Sequence, residues 1–398
     1  MYFEKIDANN KQGYKYICIG DGPPDPVTGK RTQIKRRGDT KKEASARVKQ
    51  AVDLLKERGI NEKKLKSITF EMVAQEWLEE YSRGKKNSTI RVRKNEISTL
   101  NGYIAKTNID KISSKGYQRI LNDLSDKGRA RTTIEGVHVT AGMVMRYAAK
   151  EKYIKDNPCV GAVIPSKALT VEDIERNPVE EGYLEHKEIT EFLEAVKVHG
   201  MEYDLERFYL LAFTGLRSGE LCALKWSDVD FERNTIRITK TLYNPDNNML
   251  KYELTPPKTA AAIRTVDVND KIMIILKELY TKCKTLIAAI AELTDEYHDE
   301  DFIFCRENGT PYIQKSIINR MQRILDKTSI TKRATPHIFR HTHISMMAEA
   351  GVDITTIMKR VGHDDMKTTL KIYTHVTDKM KSNAADKVND HFQSILQF

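Results

Sequence analysis

"HIFRHTH", residues 337–343, puts three histidines and an arginine into seven positions. His337 and His341 stand four apart, the spacing of two metal ligands on one helical face. His337 and Arg340 stand three apart, which places them side by side as donors to an anion. The metal reading is weak: a helical HExxH is absent, since Ile-Phe-Arg follows His337, and a guanidinium cannot shed its proton beside a dication. An anion clamp agrees better with a second site, "TGLRSGEL" (214–221), where Gly215 permits a turn and Ser218 opens a helix with Arg217 at its start. A third stretch, "RVGHDDMKTTLKIYTHV" (360–376), offers Gly362 as a helix stop and His363 after it. Met366, Thr369, Leu370 and Tyr373 would share one face of the next helix.

Other chemistries lack their signatures. Neither GxGxxG nor GxxxxGK[ST] occurs, so no phosphate-cradling nucleotide loop is expected, and a G-x-S-x-G nucleophile elbow is absent. The five cysteines (Cys18, Cys159, Cys222, Cys283, Cys305) are scattered and without CxxC, which argues for a reducing interior rather than a disulfide scaffold. No cofactor and no metal is expected.

A chain of 398 residues implies two or three domains. The longest apolar runs, such as "IMIIL" (272–276), fall far short of the ~20 residues of a membrane span. The start has no basic–apolar–small order, so no signal peptide is expected. Net charge is +10, and residues 30–66 alone carry an excess of nine positive charges. Such a local concentration suits a polyanion, most often nucleic acid, although a solvated helix face is the ordinary alternative.

The elements that must carry these groups fall into segments. "YKYICIG" (14–20) and "RTQIKRR" (31–37) alternate as strands around the turn-rich "DGPPDPVTGK". After Asp39 or Thr40 as N-cap, Ala44, Val48, Ala51, Val52 and Leu55 fall at helical spacing. This basic unit, 1–62, would present Arg31, Lys35, Arg36 and Arg37 to a DNA groove, as β-ribbon readers do. Residues 66–160 read as all-helical, with helices over 68–81, 88–104, 115–128 and 131–154. Arg91, Arg93, Lys94, Arg129 and Arg131 lie at helix starts or loops where phosphates can be met. Residues 161–182 read as a linker, and 183–398 as helices around one strand-rich stretch (235–268).

Taken together, "TGLRSGEL", "PPKT", "HIFRHTH" and "VGHDDMKTTLKIYTHV" resemble the tyrosine recombinases, specifically the integrases of temperate phages and integrative conjugative elements. The resemblance covers most of the chain, and four motifs in the right order make it specific. It implies a multidomain, mainly α protein with small β elements: an N-terminal β-sheet plus helix that binds arm-type DNA, an all-α core-binding (SAM-like) domain, and an α+β catalytic domain with a C-terminal tail. The family's nucleophile falls on Tyr373, its arginines on Arg217 and Arg340, its histidines on His337 and His363, and its hairpin lysine on Lys258, with Lys240 in reserve. Glu220 matches the acidic residue three after the first arginine. His341, His343 and His375 are then supporting residues, and Arg264 a surface or DNA-backbone contact as readily as a catalytic group.

The implied activity is metal- and ATP-independent cutting and rejoining of DNA through a 3′-phosphotyrosyl link, integrating and excising a mobile element or prophage. The implied partners are double-stranded DNA at attachment core and arm sites and three further copies in a tetramer. An excisionase and a host DNA-bending protein are candidate accessory factors. The setting would be the bacterial cytoplasm, with no membrane. The apolar residues after Tyr373 (Val388, Phe392, Ile395, Leu396, Phe398) would dock in cis or on a neighbouring subunit. Three rivals stay open at this stage: a DNA-binding regulator on the same scaffold, a telomere resolvase or chromosome-dimer recombinase, and a metal-dependent nuclease.

Overall fold

A computed structural model describes residues 1–24, 31–58, 67–166, 182–257, 259–291, 297, 298, 300–363, 366, 367, 369–378 and 380. Lys258, most of the expected linker and the apolar tail residues from Val388 onward lie outside the described residues. The chain divides into two compact units, Met1–Ala168 and Leu169–Phe398.

The first unit opens with an antiparallel sheet, β1 (Tyr2–Asp7), β2 (Tyr14–Pro24) and β3 (Arg31–Gly38), with β2 central. Two strands were expected and three form. β1 escapes the alternation rule because Glu4 and Lys5 interrupt its apolar positions, yet Phe3 pairs opposite Cys18. β2 also runs to Pro24, into the stretch expected to be a connector, with a register shift between Asp21 and Pro24. Helix α1 (Lys41–Arg58) covers one face, burying Cys18, Ala44 and Val48 together. Its start is capped reciprocally: Thr40 Oγ1 accepts from Glu43 N at 3.1 Å, and Glu43 Oε2 accepts from Asp39 N at 2.8 Å.

Four helices follow: α2 (Phe70–Tyr81), α3 (Asn87–Ile104), α4 (Ser114–Asp126) and α5 (Arg131–Lys150). Thr69 and Ser113 cap α2 and α4 through their hydroxyls. The apolar stripe Phe70, Val73, Trp77 packs on Leu100, Tyr117, Leu121, Val137 and Val144.

The second unit contains α6 (His186–His199), α7 (Asp204–Thr214), the short α8 (Ser218–Cys222), α9 (Asp270–Ala291), α10 (Gln314–Leu325), α11 (His337–Glu349) and α12 (Ile354–Val361). Between α8 and α9 lie a sheet of β4 (Val229–Asp230), β5 (Thr235–Ile238) and β8 (Arg264–Asp267), and a hairpin of β6 (Thr241–Tyr243) and β7 (Glu253–Thr255). Residues 369–378 are again helical.

α11 is buried on more than one side, which explains why "HIFRHTHISMMAE" shows little amphipathic patterning. Phe339 meets Phe192 and Phe208 in the main core, with ring centres 5.2 and 5.7 Å away. Ile344 and Ala348 belong to a second cluster with Tyr183, Ile357, Val361, Ile372 and Val376. The last helix therefore presents Thr369, Ile372 and Val376 inward, whereas Met366 and Leu370 are exposed. That corrects the expected face of Met366, Thr369, Leu370 and Tyr373: Tyr373 and Thr369 keep it, and the two apolar residues do not.

Among the described residues no helix is long and apolar enough to cross a membrane.

Candidate active site

Three backbone corners converge around one guanidinium. Gly215 ends α7 with φ 65°, and Gly362 ends α12 with φ 67°, left-handed conformations that favour glycine. Arg340, on the first turn of α11, donates through Nη1 to the Gly215 carbonyl at 2.8 Å, through Nη2 to the Val361 carbonyl, and through Nε to His363 Nε2 at 3.0 Å. It is wholly buried. Burial and the nearby Arg217 work against its charge and Glu220 works for it; a guanidinium's intrinsic basicity keeps it protonated.

Arg217 stands at the start of α8. Glu220 accepts from its backbone N–H at 3.0 Å and from Nη1 at 2.7 Å, while Nη2 donates to the Gly362 carbonyl at 3.2 Å. About a third of its side chain remains exposed (35%). Both arginines are thus anchored on the same short stretch, Val361–His363, although 123 positions of sequence separate them.

The Glu220 carboxylate is shared. Arg264 donates to it through Nη2 at 3.0 Å and, more weakly, through Nη1 at 3.4 Å, and through Nε to the Arg360 carbonyl at 2.7 Å. Burial alone would raise the Glu220 carboxyl; Arg264 and Arg217 outweigh it and hold it below the usual carboxylate range. Arg264, read as a surface or DNA-backbone contact as readily as a catalytic group, is buried and ties β8 to α8 and α12. Sequence reasoning missed this role because its partners lie 44 and 96 residues away.

The histidines separate by their hydrogen bonds. A guanidinium nitrogen can only donate, so His363 Nε2 accepts from Arg340 and Nδ1 carries the proton, which it donates to Thr369 Oγ1 at 2.7 Å. Burial, then Arg340 and Arg217, hold the His363 imidazole down at about 3. In this arrangement its Nε2 accepts from Arg340. By the same logic His343 Nε2 accepts from Arg360 Nε at 3.1 Å and Nδ1–H donates to the Ala212 carbonyl at 3.1 Å.

His337 opens α11 with its ring edge-on to His341, centres 4.8 Å apart. The protein around it, then His341, Arg340 and Arg217, hold its imidazole at about 4. It is therefore neutral at physiological pH, with a lone pair for a proton. His341 Nδ1–H donates to the Gly182 carbonyl at 3.0 Å.

Tyr373 lies on the helix 369–378, half-buried against the cluster of Ile344, Ile357 and Val361. Lys240 is bound to the Asp228 carboxylate at 2.6 Å, so its ammonium is already engaged. Lys258 lies outside the described residues. No three His, Cys, Asp or Glu side chains gather as metal ligands among the described residues.

Away from this site, Arg31, Lys35 and Arg37 are exposed, and Lys35 and Arg37 stand on the sheet face away from α1, opposite Ile19 and Ile17. Arg36 lies opposite Cys18, on the covered face, and is half-buried. Arg91, Lys94, Arg129 and Arg131 are exposed, Arg131 paired to Glu135. Arg93 departs from expectation. It turns inward, 2.7 Å from Glu96 and 2.5 Å from Thr140 Oγ1, and joins α3 to α5.

Residues 182–380 match the phage integrase family, and residues 69–125 match the SAM-like N-terminal domain of phage integrases. The probable integrase of prophage ps2 of Lactococcus lactis is 33% identical, over 98% of this chain and 99% of its own. Among solved structures, the Tn1549 transposon integrase in complex with a circular intermediate DNA has a TM-score of 0.62 at 19% identity, over 77% of this chain and 95% of that one. A lambda integrase tetramer bound to a Holliday junction gives 0.55 at 17% identity, over 90% and 91%. The chain belongs to the phage integrase family: it is a site-specific tyrosine recombinase of the integrase type.

Proposed function

We propose that Tyr373 is the nucleophile and that Arg217 and Arg340 hold the scissile phosphate, in a reaction that needs neither metal nor nucleotide. The observation that carries this reading is the joint anchoring of both guanidinium groups on Val361–His363, immediately before the helix that bears Tyr373. Attack by the Tyr373 oxygen on a phosphodiester builds a five-coordinate phosphorus with added negative charge. Fixed guanidinium donors stabilise that charge without reorganising.

Tyrosine is mostly protonated at neutral pH, its model value being about 10. His337, neutral at the start of α11, accepts the phenol proton as the O–P bond forms. The bond from phosphorus to the 5′-oxygen breaks, and Lys258 protonates the leaving oxygen. The product is a 3′-phosphotyrosyl link, from which a 5′-hydroxyl of a partner strand restores a phosphodiester and frees the tyrosine. The bond count is conserved, so no ATP is consumed.

Arg217 is the arm that meets DNA first, since Arg340 is wholly covered in the free chain and must be uncovered as DNA seats. The sheet of residues 1–62 binds arm sites through Arg31, Lys35 and Arg37, the helical segment 66–160 holds the core site, and 183–398 carries the chemistry. Arg36, half-buried, supports the sheet. Four copies acting on two attachment sites complete the exchange in the bacterial cytoplasm, with an excisionase and a host bending protein setting direction. The tail beyond Val376 couples neighbouring copies.

The test is single-turnover cleavage of an attachment core in EDTA. Arg217→Ala and Arg340→Ala should each slow cleavage by about 10²–10³ while DNA is still bound. Full activity in either variant contradicts the assignment.

A further inference from the structure

We propose that Thr369 is a positioning residue of the recombination site: its hydroxyl fixes the tautomer of His363, and so holds Arg340 and fastens the Tyr373 helix to it. The inference rests on the reading that Arg340 and Tyr373 act on the phosphate, and it concerns a residue outside the set that reading uses.

Thr369 is completely buried. A buried threonine in a helix ordinarily satisfies its hydroxyl on a carbonyl of its own helix; here Oγ1 lies 2.7 Å from His363 Nδ1, six residues back and before the helix. The proton count on the ring is dictated by its neighbours. Arg340 Nε has one hydrogen and no lone pair, and it points at His363 Nε2 from 3.0 Å. Nε2 must therefore be bare, the ring neutral, and the single proton on Nδ1. Thr369 is the group that accepts that proton.

Removing the hydroxyl leaves two outcomes, both harmful. If the proton stays on Nδ1, a buried donor goes unsatisfied. If it moves to Nε2, two N–H groups face each other and Arg340 loses its fixed orientation. Thr369 also stands four residues before Tyr373, so both project from one face of the helix. A chain of contacts thereby runs from the phosphate arm through His363 and Thr369 to the helical turn that bears the nucleophile.

The experiment uses the full chain with Thr369→Val, which keeps the shape and removes the hydroxyl, and Thr369→Ser, which keeps the hydroxyl. Single-turnover cleavage of nicked core DNA, DNA affinity and melting temperature are measured for each. Thr369→Val should cleave about tenfold more slowly or worse, with DNA affinity unchanged, and Thr369→Ser should recover most of the rate. In a His363→Ala background Thr369→Val should cost nothing further. Wild-type cleavage by the valine variant, failure of serine to rescue, or full additivity with His363→Ala would overturn the proposal.

If the valine variant does not fold, ¹⁵N shifts of the wild-type histidines decide. A neutral His363 with its proton on Nδ1 supports the proposal; a proton on Nε2, or an imidazolium at neutral pH, overturns it. An adduct that persists in Tyr373→Phe would instead remove the reading beneath the proposal, and that result leaves the tautomer measurement untouched.

Discussion

Arg264 and Arg217 share one carboxylate: Glu220 accepts from Arg264 Nη2 at 3.0 Å and from Arg217 Nη1 at 2.7 Å. One guanidinium is buried, and the other is partly exposed. The buried one sets the acid that aims the exposed one. Arg264→Met therefore has two effects. It should destabilise the second unit by roughly 3–5 kcal/mol, because one partner of a buried ion pair is removed. It should also lower cleavage more than DNA binding. Denaturant unfolding and single-turnover cleavage check both, and unchanged stability would refute the shared-carboxylate account.

Stability should depend on pH through the buried histidines. Burial, then Arg360, hold His343 at about 3; burial, then Arg340, do the same for His363. An unfolded chain titrates these rings near about 6.5. Between those values the unfolded state binds more protons, so stability is complete above about pH 6.5 and is lost as pH falls toward 3. His343→Gln, whose amide can both donate to Ala212 and accept from Arg360, should flatten the profile. Denaturation midpoints across that range measure it, and a slope equal to the wild type's would count against the neutral, buried His343.

Arg91 and Arg93 should behave differently although two positions apart. Arg91 is exposed, while Arg93 is held between Glu96 and Thr140. Arg91→Ala should weaken DNA binding and reduce the salt slope by about one, if it meets a phosphate. Arg93→Ala should leave the slope alone and cost about 1–3 kcal/mol of stability, the penalty for an unpaired buried group. Salt titrations and melting curves separate the two.

Removing residues 1–62 should abolish binding at arm sites and spare cleavage of a short core site. The sheet and α1 bury their own small core of Cys18, Ala44 and Val48, and the residues proposed for the chemistry lie in the other unit. Equal loss of arm binding and core cleavage would contradict the division.

Much of this was legible in the sequence wherever the signal is local. The N-cap before α1, the stripe Phe70–Val73–Trp77 and the glycine corners at 215 and 362 all act within a few residues of themselves. The arginines and histidines of the site were legible through spacing and resemblance. What failed depends on distant partners. Arg264 gives no local sign that it is buried, since Glu220 and Arg360 come to it only in the fold. Arg93 reads like Arg91 until α5 brings Thr140 against it. Met366 and Leu370 share a helical period with Tyr373, but the neighbouring cluster takes Ile372 and Val376 instead. Thr369 had a place on that face and no role.

The central claim is that Tyr373 becomes covalently joined to DNA without a metal. A nicked suicide substrate carrying the attachment core, incubated in EDTA and without ATP, traps that link because the nicked strand cannot be rejoined. Wild-type protein should give a covalent adduct and Tyr373→Phe none, with DNA binding equal in both. An adduct that survives the substitution would move the nucleophile elsewhere, and specific binding with no adduct from either protein would contradict the account.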